Sequence, residues 1–207
     1  MAELFPGKLP LFLAVGLMSG SSMDGIDAAL IETDGVSYIR HLGGASYVFL
    51  RDFHSLLRIA EQACLEAAGN IEKADILFSV LINRNLTKLT SMCNSTASDM
   101  VANGRFANAL RCDDAFGCLS SLDSFVDSIT LAAVIKKLTL IHVELVNRML
   151  IQLSVIAENV HVIGFHGQTL YHNPRLGISL QVLIYYCNVY YHESCFVDVH
   201  GIHMVYT

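Results

Sequence analysis

Two short apolar runs near the start of the chain, 12–18 and 26–33, flank a loop rich in Gly, Ser and Asp. Turn residues bound both runs, and each run is too short for a helix in that setting, so the pattern predicts two β-strands. The connection between them is then the tip of a β-hairpin.

Helical periodicity is strongest in the second half of the chain. Apolar residues recur at helical spacing from Leu131 onwards, and charged residues fall among the remaining positions, which predicts a helix over Leu131–Ala157. A strand is predicted over Val160–Phe165, with an exit loop over Gly164–Thr169. Such exit loops collect ligand-binding groups in α/β sheets.

Between Phe49 and Ala68, apolar residues lie close to one helical stripe, and Gly69 would end such a helix. Its apolar stripe consists of Leu56, Leu57, Ala60, Ala63, Cys64 and Ala67. Between 72 and 129 the helical periodicity is weak, only short apolar runs such as 76–82 occur, and loose order is expected. No repeat, low-complexity tract or linker divides the chain, so residues 1–207 are interpreted as one lobe.

The hairpin tip has a composition suited to phosphate and a metal ion. Its glycines permit positive φ and close backbone approach, its serines offer hydroxyls and amides, and two carboxylates could orient hydrated Mg²⁺. These residues are Gly16, Gly20 and Gly25, then Ser19, Ser21 and Ser22, then Asp24 and Asp27. The alternative is an ordinary turn of the same composition.

Three common nucleotide or nucleophile motifs are absent from the tip. A P-loop requires Gly-Lys-Ser/Thr running into a helix, and a dinucleotide fingerprint requires Gly-x-Gly-x-x-Gly opening one. The tip contains no Lys and is followed by a predicted strand. A Gly-x-Ser-x-Gly nucleophile elbow is also missing.

The exit loop contains a second set of candidate binding groups. His166 and Gln168 could hydrogen-bond a sugar. The alternative is that His166 and His172 are loop histidines whose hydrogen bonds are satisfied within the protein.

Charge and hydropathy limit the classes of partner. Apolar residues make up 53% of the chain, the net charge is −6, Trp is absent and no Lys/Arg cluster occurs, so neither nucleic acid nor an anionic membrane is an expected partner. The apolar run 9–18 resembles the core of a signal peptide but is too short to span a bilayer. It is interpreted as a strand of a cytoplasmic protein.

The six cysteines form no Cys-x-x-Cys pair, and reduced thiols are expected. A zinc or copper site is a weaker hypothesis for the C-terminal region, where Cys187, His192, Cys195, His200 and His203 lie close in sequence. Their spacings match no standard closed zinc pattern.

Two ordered motifs resemble the 1,6-anhydro-N-acetylmuramate kinases, members of the actin-like ATPase and sugar-kinase superfamily. The first is Gly16–Asp27, which departs from the family pattern at Ser21, where Thr is usual and the hydroxyl is retained. The second is 162–174, which contains the run Gly-Phe-His-Gly-Gln-Thr. The resemblance covers the N-terminal part of the family, with 72–129 poorly matched.

The resemblance implies an α/β N-terminal lobe of the actin-like superfamily, with a mixed sheet, flanking helices and no second lobe. It implies a kinase that uses ATP and Mg²⁺ to open the anhydro ring and phosphorylate O6 during peptidoglycan recycling. ATP phosphates would contact Gly20, Ser21, Ser22, Met23, Asp24, Gly25, Ile26 and Asp27. Asp24 and Asp27 would serve Mg²⁺, and His166, Gly167 and Gln168 would contact the sugar.

The resemblance weakens towards the C-terminus. After Leu180-Gln181 the family has a polar turn and a helix, whereas this chain has an apolar, charge-free run over 182–191, and 182–200 is atypical as a whole. Thr207 stands where the family strand has Asp, and no residue matches the general base, so the catalytic residue is unknown. Two alternatives to an active kinase follow: a non-catalytic sugar- or nucleotide-binding lobe, or half of a cleft completed by a partner chain or a second copy.

Overall fold

The computed structural model describes residues 9–93, 112–113, 117–118, 129–165, 167–182 and 195–197. Its central sheet contains β1 (Phe12–Ser19), β2 (Gly25–Thr33), β3 (Ile39–Val48), β6 (Val160–Phe165) and β9 (Cys195–Val197) in the order β3-β2-β1-β6-β9. Two two-stranded pairs accompany it: β4 (Cys112–Asp113) with β5 (Gly117–Cys118), and β7 (Gln168–Asn173) with β8 (Ile178–Val182).

The central sheet is mixed, as the sequence predicts. Strands β1 and β2 pair antiparallel from Phe12↔Thr33 to Ser19↔Ile26, which confirms the predicted hairpin. Strand β6 lies parallel to β1 on its other edge. The carboxyl ends of β1 and β6 therefore lie at the same edge of the sheet, and the segments that follow them are neighbours.

Side chains alternate across β1 as expected for a half-buried strand. Val15, Leu17 and Ser19 are buried, whereas Gly16 and Met18 are exposed. The run 9–18 thus contains a strand, as expected. None of the helices in the described ranges has the length and apolar character needed to cross a bilayer.

Three helices form the rest of the described core: α1 (Arg51–Glu66), α2 (Ile71–Cys93) and α3 (Leu131–Gln152). Helix α3 contacts β2 and β3, α1 contacts β7, and all three helices contact one another. The ring of His142 on α3 also packs against Phe165 of β6, with centroids 4.5 Å apart. The helices pack against the face of the sheet on which its apolar residues are buried.

Helix α1 confirms the predicted apolar stripe, because Leu56, Leu57, Ala60, Ala63, Cys64 and Ala67 are all buried. It ends at Glu66, two residues before the predicted end. Ala68 takes the left-handed conformation, with φ of 51°, and donates from N to the Leu65 carbonyl oxygen, while Gly69 N donates to Cys64 O at 2.9 Å. This is a Schellman motif in which Gly69 is the second residue beyond the helix.

Helix α2 was not predicted, since 72–129 was expected to be loosely ordered. Among residues 71–84 of this helix, where burial is described, the buried residues are Ala74, Phe78, Leu81 and Ile82, which follow helical spacing. Asn70 caps the helix by accepting from Lys73 N at 2.9 Å. The helical periodicity is hard to recognise in the sequence because exposed positions such as Ile76 and Val80 are also apolar.

Helix α3 begins as predicted, at Leu131, where the Thr130 hydroxyl caps it by accepting from Ala133 N. It ends at Gln152, five residues before the predicted end. Ser154 has φ of 54°, and Val155 N donates back to Leu150 O at 2.9 Å, which closes another Schellman motif. A short 3₁₀ turn over Ala157–Asn159 then leads into β6, whose bounds match the prediction.

Candidate functional site

The hairpin tip is a four-residue β-turn at the end of β1. Gly20 and Met23 are its first and last residues, and Met23 N donates to Gly20 O at 3.1 Å. Ser21 and Ser22, the two central residues, are exposed. The turn therefore presents both serines to solvent at the carboxyl edge of the sheet.

The predicted phosphate-binding set divides into two kinds of residue. Ser21, Ser22, Asp24 and Asp27 are exposed. Met23 and Ile26 are 0% and 1% exposed, so their side chains belong to the hydrophobic core and only their backbones could meet a ligand. Ser19 was also among the predicted hydroxyl donors, but it is buried and its hydroxyl donates a hydrogen bond within the protein.

The left-handed backbone position of the tip is Met23, with φ of 55°. Gly16, Gly20 and Gly25 permit positive φ by residue type, but none of these is among the residues with positive φ. Close backbone approach is correct for Gly25, where a Cβ atom would collide with the Tyr47 carbonyl oxygen of β3. At Gly16 no described atom lies within 4 Å of such a Cβ atom.

Two carboxylates flank the tip on its exposed side. The Ser22 hydroxyl donates to Asp24 Oδ1 at 2.6 Å, and the Ser46 hydroxyl donates to Asp27 Oδ1 at 2.5 Å. The Ser22 hydrogen bond lowers the pKa of Asp24 below its usual range, helped by the residue's own N–H and by His54. These interactions favour the charged form of Asp24.

The third strand supports the tip through contacts that the sequence analysis missed. Ser46 lies opposite Asp27 in the β2–β3 register, and Phe49 N donates to Asp24 O at 2.8 Å. Neither contact has a local sequence signal, because each depends on the register of β3.

The second motif lies directly against the tip. Ser19 Oγ donates to Gly167 O at 3.2 Å, and Gln168 Nε2 donates to Gly20 O at 3.2 Å. Gly167 is buried and has φ of 69°, a conformation that favours glycine. The structure thus joins two segments that are 148 residues apart in sequence.

Gln168 is buried completely, with 0% exposure. It begins strand β7, and Thr169 follows it there, so the predicted exit loop is shorter than expected. Gln168 Nε2 lies near a second acceptor, Thr169 O, at 3.3 Å. Within the described residues no donor reaches Gln168 Oε1. His166 lies outside the described residues.

No group of three or more His, Cys, Asp or Glu side chains that could hold a metal ion occurs in the part of the chain that the structure describes. Asp24 and Asp27 provide two carboxylates. The residues of the zinc or copper hypothesis, Cys187, His192, Cys195, His200 and His203, lie outside the described residues, apart from the backbone of Cys195 in β9.

The described residues form a mixed α/β lobe. Its Gly/Ser/Asp hairpin contacts the second motif at one edge of the sheet. No protein-family model matches the chain. Curated proteins named anhydro-N-acetylmuramic acid kinase do match it, through their N-terminal part.

The relative from Rhizorhabdus wittichii is 32% identical over 170 residues, which is 82% of this chain and 32% of that protein. The relative from Methylorubrum populi is 30% identical over 179 residues, and one from Rhodopseudomonas palustris is 26% identical over 173 residues. The chain spans about a third of the length of these curated relatives. The resemblance that the two motifs carry is therefore confirmed, as a partial match.

Proposed function

We propose that the chain carries the phosphate-binding hairpin of an ATP-dependent kinase that converts 1,6-anhydro-N-acetylmuramate to N-acetylmuramate 6-phosphate. The observation that carries the proposal is the contact between the two motifs, Gln168 Nε2 to Gly20 O at 3.2 Å. The names of the relatives support a phosphotransferase reaction. In this reaction water adds to C1, the C1–O6 bond breaks, O6 takes the γ-phosphoryl group, and ADP and a proton leave.

The phosphates of ATP are assigned to the tip over Gly20–Asp27. Ser21 and Ser22 are exposed there, so the Ser21 hydroxyl and backbone N–H groups are available, whereas the Ser22 hydroxyl donates to Asp24. Met23 and Ile26 would contribute backbone only. Nests of backbone N–H groups in turns are suited to anions. Binding to this tip would fix the nucleotide at the carboxyl edge of β1.

Asp24 and Asp27 are proposed to hold hydrated Mg²⁺. Mg²⁺ keeps several waters and needs only one or two protein carboxylates besides phosphate oxygens, so two exposed carboxylates are sufficient. When bound with ATP, Mg²⁺ neutralises charge on the phosphoryl group in transfer. The low pKa of Asp24 keeps its charge available throughout the neutral range.

The sugar is assigned to His166, Gly167 and Gln168. Gln168 Oε1 is a buried acceptor with no donor in the described ranges, and a buried acceptor without a partner costs about 1–3 kcal/mol. A sugar hydroxyl would supply that donor. Because Gln168 is 0% exposed, the hydroxyl reaches it only when neighbouring residues move.

We assign no general base, and the catalytic residue remains unknown. By resemblance, the actin-like lobe, the cytoplasmic location and the role in peptidoglycan recycling are parts of the same proposal. Nucleic acid and membrane are not proposed partners.

A second candidate is a lobe that binds sugar or nucleotide without catalysis, or one whose cleft is completed by a partner chain or a second copy. The observation favouring it is the site itself, since no general base is assigned at the tip or at the second motif. Phosphoryl transfer depends on positioning and on charge stabilisation, and a lobe without a general base would bind its ligands with little rate enhancement.

A coupled assay of ADP release tests the first candidate against the second. With Mg²⁺-ATP and 1,6-anhydro-N-acetylmuramate, we expect the wild-type chain to release ADP above a Gly20→Trp blank, in which an indole fills the turn. Release that depends on the sugar supports the kinase. A folded wild-type chain that binds Mg²⁺-ATP and gives the rate of the blank supports the non-catalytic lobe.

A further inference from the structure

We propose that Gln168 is a positioning residue that orients the Gly20–Ser21 peptide, so that the Ser21 N–H faces outward to bind a phosphate oxygen. The inference rests on the proposed function, because it takes the tip as the phosphate site. It gives Gln168 a role through Nε2 that is separate from any contact between Oε1 and a sugar.

The argument starts at the Gly20 carbonyl oxygen, which accepts two hydrogen bonds from inside the protein. Met23 N donates from within the turn at 3.1 Å, and Gln168 Nε2 donates from β7 at 3.2 Å. Both donors belong to residues with 0% exposure. The carbonyl therefore points towards the core.

The orientation of this carbonyl fixes the direction of the next N–H. A trans peptide is planar and places its C=O and N–H on opposite sides, and the chain has no cis peptide bond in its described residues. The Ser21 N–H must then point away from the core. Ser21 is exposed, and among the described residues no acceptor bonds to its N–H.

Gln168 suits this role because its own orientation is determined. Its amide nitrogen lies 3.2 Å from Gly20 O and 3.3 Å from Thr169 O, and two carbonyl acceptors require a donor between them. The Ser19 hydroxyl bond to Gly167 O at 3.2 Å holds the preceding residue beside the tip.

Without Gln168 the peptide can turn over. Gly20 has no side chain to resist rotation, and the Met23 N–H would be the one remaining donor to its carbonyl oxygen among the described residues. A flipped peptide would direct a carbonyl oxygen at the phosphate and withdraw an N–H donor. Both changes weaken the binding of an anion.

The test compares Gln168→Met with Gln181→Met. Gln181 is also a buried glutamine, on the adjoining strand β8, but its Nε2 bonds to Thr169 Oγ1 rather than to the tip. Each variant is measured by calorimetric titration with Mg²⁺-ATP and by amide hydrogen exchange of Met23, whose N–H loses its acceptor when the peptide turns. We expect Gln168→Met to weaken Mg²⁺-ATP binding and to speed Met23 exchange, each by about tenfold. Gln181→Met should leave both at the wild-type values.

A second variant, Ser21→Pro, removes the proposed N–H donor without touching Gln168. Ser21 is the second residue of the turn, a position that accepts proline, so the fold should be kept. We expect weaker Mg²⁺-ATP binding by about tenfold with unchanged Met23 exchange. This variant tests the inference even where Gln168→Met does not fold.

The results separate the two proposals. The role of Gln168 would be overturned if Gln168→Met kept both the Met23 exchange rate and the Mg²⁺-ATP affinity of the wild type. It would also be overturned if Ser21→Pro bound Mg²⁺-ATP with wild-type affinity. Either result would leave the phosphate site intact. A wild-type chain that binds no Mg²⁺-ATP would remove the proposed function, and the phosphate role of Ser21 with it.

Discussion

Replacing Gly25 with alanine is expected to destabilise the chain by about 2–3 kcal/mol and to remove Mg²⁺-ATP binding. A Cβ atom at Gly25 collides with the Tyr47 carbonyl oxygen, and backbone atoms of β3 cannot move aside as a flexible side chain can. The clash forces β2 away from β3, where Ser46 and Phe49 support the tip. Thermal or urea unfolding measures the stability, and calorimetric titration measures the binding.

Gly16→Ala is the matched control, because Gly16 lies in the neighbouring strand of the same sheet. No described atom lies within 4 Å of the added Cβ atom there, and replacing glycine within a strand removes an entropic cost of about 0.5–1 kcal/mol. We expect Gly16→Ala to fold and bind as well as the wild type. Equal stability of the two variants would contradict the close approach at Gly25.

Replacing Met23 with alanine is expected to cost about 2–4 kcal/mol and to weaken Mg²⁺-ATP binding. Met23 is 0% exposed and is the side chain that anchors the turn in the core. Truncation leaves a cavity where this side chain packs in the core, so the turn loses its anchor. Urea unfolding with Mg²⁺-ATP titration of the same preparation checks both effects.

A Met23→Gly variant separates packing from backbone conformation. Alanine at position 23 keeps the unfavourable left-handed conformation with φ of 55°. Glycine adopts this conformation without strain, which stabilises the variant by about 1 kcal/mol relative to alanine. We expect Met23→Gly to be no less stable than Met23→Ala, the reverse of the order usually seen in regular structure. A Met23→Gly variant clearly less stable than Met23→Ala would show that the turn does not need a left-handed residue there.

The sheet hairpin and the stripe of α1 could be predicted because their signals are local. Residues 12–18 alternate towards one buried face, and the buried residues of α1 follow one helical stripe. Helix α2 could not be predicted so easily. Exposed Ile76 and Val80 fill the positions that would otherwise mark its polar face.

The helix ends and the turn conformation were harder to predict, because the residues in the left-handed conformation have only a weak preference for it. Ala68, Ser154 and Met23 adopt left-handed conformations, although glycine is the residue usually expected there. Ala68 and Ser154 are exposed and take this conformation within the backbone hydrogen bonds of the two Schellman motifs, whereas the side chain of Met23 is buried in the core. The residue types of the tip therefore indicate Gly16, Gly20 and Gly25 as positions that permit positive φ, whereas the structure has positive φ at Met23.

The candidate site was predicted as two motifs, and its assembly came from the topology. The parallel pairing of β1 with β6 places Gly20 beside Gln168. Which atom of Gln168 makes that contact, and that Ser46 supports Asp27, depend on strand register and side-chain packing. These are long-range properties that no spacing in the sequence encodes.

The most direct test of the phosphate site is a calorimetric titration of the wild-type chain and Asp24→Asn with ATP, in the presence and absence of Mg²⁺. Asp24 is exposed at the tip, and its pKa is lowered, so the wild type keeps a carboxylate for hydrated Mg²⁺. Asp75→Asn, an exposed substitution on α2, controls for the change in net charge. We predict that Mg²⁺ strengthens ATP binding by the wild type and by Asp75→Asn, and that Asp24→Asn loses most of this gain, by roughly tenfold. Binding that is equal with and without Mg²⁺, or unaffected by Asp24→Asn, would contradict the assignment of the tip as a Mg²⁺-nucleotide site.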